Sequence, residues 1–301
     1  MNYDDLINRQ SLPLEQKIIL SQRKIKSWYD YFEGDVYVSF SGGKDSTVLL
    51  DIVRNTPGVY DVPAVFVDTG LEYPEVRVFG RKLADTILYP NMTFKNVIDA
   101  YGYPVISKEQ SNYINEARNS TPKMRELRIN GRNGRFKISG KHMYLLDAPF
   151  EVSGKCCDVM KKRPFKSYEQ KTGRKPYIGT MACESSLRKQ LYIRNGCNSF
   201  DSKRQISTPI GFWTEQDILE YIKTRDLDYA GVYGEIIEDE NGKLSTTGVE
   251  RTGCMFCMFG VNYDEHPNRF ERMKITHPKQ YRYCIEDLGL NRVLDYIGVS
   301  Y

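Results

Sequence analysis

The segment best suited to chemistry is a glycine loop with the sequence SGGKDS at residues 41–46. Glycine allows a backbone to approach a phosphate group without a Cβ in the way. The helix expected after the loop supplies unpaired N–H groups and the positive end of a dipole, which together bind anions. The glycines and the lysine are not spaced as in a Walker A loop. The loop therefore predicts a phosphate site, with a ligand-free polar turn as the alternative; its candidate residues are Ser39, Ser41, Gly42, Gly43, Lys44, Asp45 and Ser46.

A second polar group, Asp68-Thr69-Gly70, follows the next buried strand. Ligands of open parallel sheets lie beyond the carboxyl ends of the strands, so we expect this group to share one crevice with the loop. The alternative interpretation is a helix cap followed by a turn.

The elements around these residues alternate between strand and helix. Residues 35–40 are β-branched and aromatic and predict a buried strand, and 46–53 predict a helix. A strand at 64–68 and a helix over 74–87 repeat this order after a helix within 13–33. The pattern is typical of an α/β fold with a parallel sheet flanked by helices. We expect three parts: an N-terminal helical segment 1–34, an α/β domain 35–225 that contains the glycine loop, and a cysteine-containing helical appendage 226–301.

Further elements are expected downstream, although residues 119–145 have no clear pattern. Helices are predicted over 105–118 and 155–171, and Thr214 is a candidate helix cap. A hairpin is predicted to turn at Asn241-Gly242, and two helices are expected after Pro267.

The net charge is +4, a mild excess that suits anionic substrates. Seven basic residues and one acid fall within 123–141, so this segment is a candidate nucleic-acid surface, or simply a solvated face. The first residues are acidic and polar, and no apolar stretch of about 18 residues occurs. We therefore expect a cytoplasmic protein with no membrane contact, whose seven cysteines are reduced.

The loop and the segment after Asp68 together resemble a known family. The sequence SFSGGKDSTVLL resembles the PP-loop of the ATP pyrophosphatase superfamily, and DTGLEYPE resembles a segment of its phosphoadenylyl- and adenylyl-sulfate reductase branch. The resemblance implies a PP-loop fold that binds ATP or adenylyl sulfate, with Mg²⁺ if ATP is the substrate. In this reading Asp68, Thr69 and Gly70 belong to the nucleotide site.

The cysteine pattern is a second match to this family. Cys156-Cys157, followed by Lys161, resembles the family's paired-cysteine segment, and Cys254-x-x-Cys257 completes a set of four thiols. The resemblance implies a [4Fe–4S] cluster, and it implies a catalytic Lys161 aimed at the sulfate or phosphate end of the substrate. Zinc is the alternative, since thiolates suit both metals, but adjacent cysteines are uncommon in structural zinc sites. Four metal-free thiols are the remaining interpretation.

A third segment, residues 179–188, resembles a substrate-binding stretch of the family. The resemblance assigns Ser185 and Arg188 to the nucleotide site, and Cys183 beside them is a candidate reactive thiol. The family's C-terminal nucleophilic cysteine, in an ECGLH-like tail, has no counterpart in residues 290–301.

Three functions follow from these observations. In the first, the protein activates an acceptor by ATP-dependent adenylylation, and a sulfur bound to a [4Fe–4S] cluster or to a cysteine then displaces AMP. A cysteine desulfurase is a candidate partner, and a nucleic acid bound at 123–141 is the candidate acceptor. In the second, it is a reductase of adenylyl or phosphoadenylyl sulfate that uses a thiol reductant. In the third, it is a non-catalytic partner that binds a nucleotide and a cluster. The missing tail cysteine favours the first over the second.

Overall fold

The chain is described by a computed structural model that covers residues 2–301. It contains thirteen α-helices and ten strands within these residues. The helices are α1 (Tyr3–Gln10), α2 (Leu14–Tyr31), α3 (Lys44–Arg54), α4 (Pro74–Leu83), α5 (Phe94–Tyr101), α6 (Lys108–Asn119), α7 (Pro122–Asn130), α8 (Arg163–Thr172), α9 (Ser186–Asn195), α10 (Glu215–Arg225), α11 (Arg269–Thr276), α12 (Pro278–Arg282) and α13 (Leu290–Tyr296). The strands are β1 (Val36–Phe40), β2 (Ala64–Val67), β3 (Thr86–Leu88), β4 (Val105–Ile106), β5 (Lys175–Ile178), β6 (Asn198–Ser199), β7 (Ile206–Ser207), β8 (Ile236–Glu238), β9 (Leu244–Thr246) and β10 (Met258–Phe259).

The main sheet has six strands in the order β3-β2-β1-β5-β7-β6. All neighbouring strands are parallel except the edge pair β6 and β7. Phe40 of β1 lies opposite Phe66 of β2, so these two strands end at the same edge of the sheet. This mainly parallel sheet with flanking helices confirms the predicted α/β fold class.

The chain forms two compact units, each made from two separate segments. The first unit contains residues 1–89 and 165–252, and the second contains residues 90–164 and 253–301. Each unit is defined by the contacts among its own residues. The division into three domains, with boundaries after residues 34 and 225, remains a prediction.

The core of the first unit is built from the sheet and the helices that pack on it. Trp28 of α2 and the loop residue Trp213 are both fully buried in it. Lys17 is also buried, and its ammonium group lies 2.7 Å from the carboxylate of Asp217. The same carboxylate accepts a hydrogen bond from the backbone of Thr214, which caps α10 as the sequence predicts. A paired and hydrogen-bonded charge is the form in which burial of a lysine is tolerated.

In the second unit, the helix predicted over 105–118 begins only at Lys108. Val105 and Ile106 instead form a strand that pairs in parallel with Met258 and Phe259. The predicted helix over 155–171 is divided between a π-helical turn, Asp158–Lys162, and α8. The tail after Pro267 contains α11, α12 and α13 rather than two helices. Pairing with a distant segment outweighs the local helical pattern at Val105.

None of the helices within residues 2–301 has the length and apolar character needed to cross a membrane.

Candidate functional site

The glycine loop joins the end of β1 to the start of α3 in the first unit. Gly42 has a φ of +72°, and an added Cβ would lie 2.8 Å from the carbonyl oxygen of Val76 and 3.3 Å from the Cα of Gly80. Gly42 therefore has no room for a side chain, because helix α4 passes directly beside it. Ser39 lies within β1 itself and is paired on both sides, with Val65 and Ile178.

Two serine hydroxyls hold the loop in shape. Ser46 donates to the carbonyl oxygen of Gly43 at 2.9 Å and accepts from the backbone N–H of Ser41 at 3.2 Å. The hydroxyl groups of Ser41 and Ser46 lie 2.9 Å apart, and the N–H of Gly43 donates to Ser41 at 3.3 Å. The loop is thus organised by its own side chains, which accept hydrogen bonds from the N–H groups of Ser41 and Gly43.

The ammonium group of Lys44 is buried and contacts the protein itself. Its Nζ lies 2.9 Å from the carboxylate of Glu215 and 2.9 Å from the carbonyl oxygen of Glu250. The carboxylate of Asp45 is 3.6 Å away, and its Oδ1 is buried with no hydrogen-bond partner within residues 2–301. Burial by itself would lower the pKa of Lys44, but the carboxylates of Asp45 and Glu215 outweigh it and raise that pKa. Burial raises the pKa of Asp45.

The first N–H group of α3 is also occupied. The backbone N–H of Lys44 donates to the phenol oxygen of Tyr233 at 3.2 Å, and that oxygen lies 2.7 Å from the hydroxyl of Thr252. Tyr233 is almost completely buried. Sequence reasoning did not identify Tyr233, Thr252 or Glu215 as neighbours of the loop. No local pattern marks them, since about 170 to 210 residues separate them from it.

Asp68, at the end of β2, is held by two arginines of α4. Its carboxylate accepts from Nε of Arg77 at 2.7 Å and from Nε of Arg81 at 2.6 Å. Burial would raise the pKa of Asp68, but the two guanidinium groups outweigh it and lower that pKa below 3.8. Both arginine side chains are more than 40% exposed, and neither was identified from the sequence.

Thr69 and Gly70 form the turn that follows Asp68. Thr69 donates through its hydroxyl to Glu72 at 2.7 Å, and the N–H of Gly70 donates to Asp68 at 3.2 Å. These bonds match the cap-and-turn interpretation of the segment, and its contact with a nucleotide remains a prediction.

The segment 179–188 places three further candidates in the first unit. Ser185 caps α9 by accepting from the N–H of Arg188 at 3.2 Å, and Arg188 forms an ion pair with Glu184. The thiol of Cys183 donates to the carbonyl oxygen of Trp213 at 3.4 Å. Burial and the nearby Glu184 raise the pKa of Cys183. A raised pKa keeps this thiol protonated, whereas a nucleophile needs the thiolate.

The four candidate metal ligands all lie in the second unit. The sulfur atoms of Cys156 and Cys157 are 3.9 Å apart, and Cys254 accepts through its carbonyl oxygen from the N–H of Cys257 at 3.1 Å. The pKa of Cys156 is raised by Cys157 and by burial, and further by Cys257 and Cys254. The other three thiols therefore all disfavour ionisation of Cys156. Within residues 2–301, no three His, Cys, Asp or Glu side chains converge in a metal-binding arrangement.

Basic residues surround the paired cysteines. The pKa of Cys157 is lowered to about 6, first by its hydrogen bond with Cys156 and then by the charges of Lys108, Lys161 and Lys162. A thiolate is the form that binds a metal, so the lowered pKa of Cys157 favours the ionised state that a metal ligand needs. Lys161 lies in the π-helical turn that follows the cysteines.

Arg269 fixes the CxxC segment from outside. Its guanidinium donates to the carbonyl oxygens of Cys257 and Phe259, both at 3.1 Å. Asp264 accepts from the same guanidinium at 2.7 and 2.8 Å. Sequence reasoning did not identify this support, which connects the backbone around Cys257 to helix α11.

The chain is similar to known proteins over most of its length. Residues 35–138 and 106–258 match the phosphoadenosine phosphosulfate reductase domain. An uncharacterized protein of Methanocaldococcus jannaschii is 25% identical over 242 residues, which cover 77% of this chain and 38% of the relative. A second uncharacterized protein of the same organism is 23% identical over 293 residues, covering 95% of this chain and 56% of the relative. The chain thus spans about half the length of one relative and less of the other.

Among solved structures, the crystal structure of phosphoadenylyl-sulfate reductase from Candida auris, in complex with phosphate, is similar with a TM-score of 0.39. The sequence identity is 14%, and the similarity covers 77% of this chain and 98% of that chain.

Proposed function

Since the chain belongs to the phosphoadenosine phosphosulfate reductase family, we propose that it binds an adenine nucleotide at the loop 41–46 and activates an acceptor by ATP-dependent adenylylation for sulfur transfer. The observation that carries this proposal is the glycine backbone of the loop, which joins the carboxyl end of β1 directly to the first turn of α3, with Gly42 at a φ of +72°. Such a backbone admits a phosphate to the helix N–H groups.

The reaction proposed is nucleophilic substitution at phosphorus. An oxygen of the acceptor attacks the α-phosphorus of ATP, so that a new P–O bond forms while the bond from that phosphorus to pyrophosphate breaks. If Mg²⁺ is bound, it would offset the negative charge of the leaving pyrophosphate. The terminal sulfur of a persulfide, supplied by a cysteine desulfurase, then attacks the activated atom of the acceptor, so that a bond to sulfur forms and AMP leaves. A thiol reductant cleaves the remaining S–S bond, which releases the thiolated acceptor and leaves the reductant as a disulfide. The loop N–H groups stabilise negative charge on the phosphate oxygens, and the hydroxyls of Ser41 and Ser46 maintain the shape of the loop.

Cys156, Cys157, Cys254 and Cys257 are the residues that would hold a [4Fe–4S] cluster, with zinc as the alternative metal. When bound, such a cluster supplies iron sites for handling sulfur or electrons. The chain itself contributes the lowered pKa of Cys157 and the backbone support from Arg269. Lys161 and Cys183 remain candidate catalytic residues, and Ser185 and Arg188 remain candidate nucleotide contacts.

The second candidate function is a thiol-dependent reductase of adenylyl or phosphoadenylyl sulfate. The paired cysteines followed by Lys161 favour it, since this part of the chain resembles the reductase branch. The third candidate is a non-catalytic nucleotide-binding partner. The contact of Lys44 with the protein's own Glu215 favours that possibility, because it leaves the loop without an available lysine.

Two assays on one anaerobic preparation distinguish these functions. Pyrophosphate release from ATP supports the adenylylating enzyme, and sulfite release from adenylyl sulfate with a thiol supports the reductase. Calorimetric binding of ATP without either product supports the non-catalytic partner. Ser46→Ala is expected to weaken ATP binding about tenfold, whereas the exposed Ser167→Ala on α8 serves as the matched control. If the wild-type chain binds neither ATP nor adenylyl sulfate, the proposal is wrong.

A further inference from the structure

The basic segment 123–141, in the second unit, contains a short hairpin at residues 132–136. The backbone N–H groups of Arg132 and Arg135 each donate to the carbonyl oxygen of the other, at 2.9 and 3.0 Å. Asn133 and Gly134 between them have φ values of +51° and +72°. Two consecutive residues with positive φ are typical of a tight two-residue hairpin turn. The two arginines are therefore presented side by side on an ordered backbone.

Phe136 follows the turn and is held in an unusual position. Its φ is +62°, and 53% of its surface is exposed. An aromatic residue rarely adopts a positive φ, and such strain is found most often at functional sites. Burial does not explain the strain, because the ring remains in contact with solvent.

The support for Phe136 comes from Arg128 of α7. Its guanidinium donates to the carbonyl oxygen of Phe136 at 2.9 Å and to the carboxylate of Glu116 at 2.6 Å. The same guanidinium lies 4.0 Å from the ring centre of Tyr113. Arg128 is thus neutralised and packed, and its role is to hold the hairpin.

The hairpin arginines differ from Arg128 in their charge balance. Neither Arg132 nor Arg135 forms an ion pair within residues 2–301, and both are exposed. Two other lysines of the basic segment, Lys123 and Lys137, are likewise exposed and form no ion pair within residues 2–301. Glu126 is the one acidic residue between positions 123 and 141. The surface therefore carries excess positive charge.

These residues also share a concave surface. Arg132, Asn133, Arg135 and Phe136 line a depression of about 450 Å³. It combines two guanidinium groups, which match phosphate oxygens, with one exposed aromatic face, on which a base can stack. The carboxylates of an acidic peptide could pair with the two arginines, but they provide no planar group to stack on the ring of Phe136.

We propose that the hairpin 132–136 binds single-stranded nucleic acid, with an unpaired base stacked on Phe136 and adjacent phosphates bound by Arg132 and Arg135. This inference rests on the proposed function, for which it names the class of acceptor. A duplex fits the surface less well, because its bases are already stacked on one another. Unpaired DNA and unpaired RNA share this chemistry.

The test is fluorescence anisotropy of the full chain with a labelled 12-nucleotide strand, as DNA and as RNA, and with the matching duplexes. The wild-type chain is expected to bind single strands at least tenfold more tightly than duplexes. Arg132→Gln with Arg135→Gln should weaken binding at least tenfold and reduce the slope of log K against log salt by about 1.4, the value for two phosphate contacts on a single strand. Phe136→Leu, which keeps an apolar side chain, should weaken binding about tenfold with an unchanged salt slope.

The matched control is Lys279→Gln with Arg282→Gln, which removes two exposed charges from α12 of the same unit. Equal loss of binding in this control would overturn the proposal, because the interaction would then depend on net charge alone. Equal binding of duplex, or binding of polyglutamate in place of nucleic acid, would also overturn it. Calorimetric ATP binding, measured on the same variants, should be unchanged. Failure of the wild-type chain to bind ATP would contradict the proposed function. Failure to bind a single strand, with ATP binding intact, would contradict only the hairpin site.

Discussion

The phenol oxygen of Tyr233 accepts a hydrogen bond from the backbone N–H of Lys44 at 3.2 Å, at the first position of helix α3. A phosphate bound by the loop would require this N–H group. Tyr233 and a nucleotide therefore compete for one donor. The hydroxyl of Thr252, 2.7 Å from the same oxygen, helps to hold Tyr233 in this place.

Replacing Tyr233 by phenylalanine tests this competition. Tyr233→Phe should increase ATP affinity about three- to tenfold, because one neutral hydrogen bond contributes about 0.5–1.5 kcal/mol. Isothermal titration calorimetry measures the change. Tyr229→Phe is the control, since its hydroxyl donates to the carbonyl oxygen of Gly234 and not to the loop. Weaker ATP binding by Tyr233→Phe would instead identify the phenol as a contact of the nucleotide.

Gly42 offers a test of the close approach between the loop and α4. Gly42→Ala adds a methyl group 2.8 Å from the carbonyl oxygen of Val76, on a backbone with positive φ. Gly173→Ala is the matched control, since its φ is +75° and no atom lies within 4 Å of the added Cβ.

Denaturant unfolding should show a loss of about 1–2 kcal/mol for the control, the cost of the left-handed backbone alone. Gly42→Ala should lose about 1–3 kcal/mol more through overpacking, and it should also bind ATP more weakly. Equal losses of stability in the two variants would mean that α4 moves aside without cost.

Asp68 predicts a specific dependence of stability on pH. Its pKa is lower in the folded chain than the ordinary value of 3.8, because Arg77 and Arg81 outweigh the effect of burial. The ionised carboxylate of Asp68 therefore stabilises the folded chain fully above pH of about 5. This stabilisation is lost as the pH falls through the folded-state pKa of Asp68. Asp68→Asn should reduce the free energy of unfolding by about 2 kcal/mol at neutral pH, since it removes the charge between two guanidinium groups.

The difference between wild type and Asp68→Asn should stay constant from pH 7 to about 5 and shrink below about 4. Urea unfolding at a series of pH values measures it, with the exposed Asp99→Asn as a control for loss of one carboxylate. A difference that does not change down to pH of about 2 would show that the ion pairs do not stabilise the fold.

If the four cysteines of the second unit hold a [4Fe–4S] cluster, the purified protein should contain iron. Anaerobically purified protein should be brown, with absorbance near ~400 nm and about four irons per chain. Arg269→Gln should lower the iron content, because it releases the carbonyl oxygens of Cys257 and Phe259. Arg272→Gln, on the exposed face of the same helix, is the control. A colourless preparation with one zinc per chain would contradict the cluster and show that the four cysteines bind zinc.

The local order around the loop was predictable because it depends on neighbouring residues. The apolar run of β1, the glycines and α3 follow each other within 20 residues, and the same holds for β2 and α4. Their parallel pairing then follows because the helix between two such strands returns the chain to the end of the sheet at which the first strand began.

The partners of these elements were not predictable in the same way. Glu215, Tyr233 and Thr252 reach the loop from distant parts of the chain, and no periodicity marks a residue that pairs at such separation. Val105 and Ile106 form a strand only because Met258 and Phe259 lie beside them. Arg77 and Arg81 are four residues apart on one helix, yet their spacing alone does not reveal the buried carboxylate that they share.

The position of β1 in the sheet has a consequence for synthesis on the ribosome. β1 pairs with β2 on one side, within about 30 residues, but its other neighbour, β5, follows about 140 residues later. At roughly 5–20 residues per second, the second edge of β1 stays open for on the order of ten seconds. An open, apolar strand edge is a template for aggregation, so the nascent chain is expected to need a chaperone during this interval.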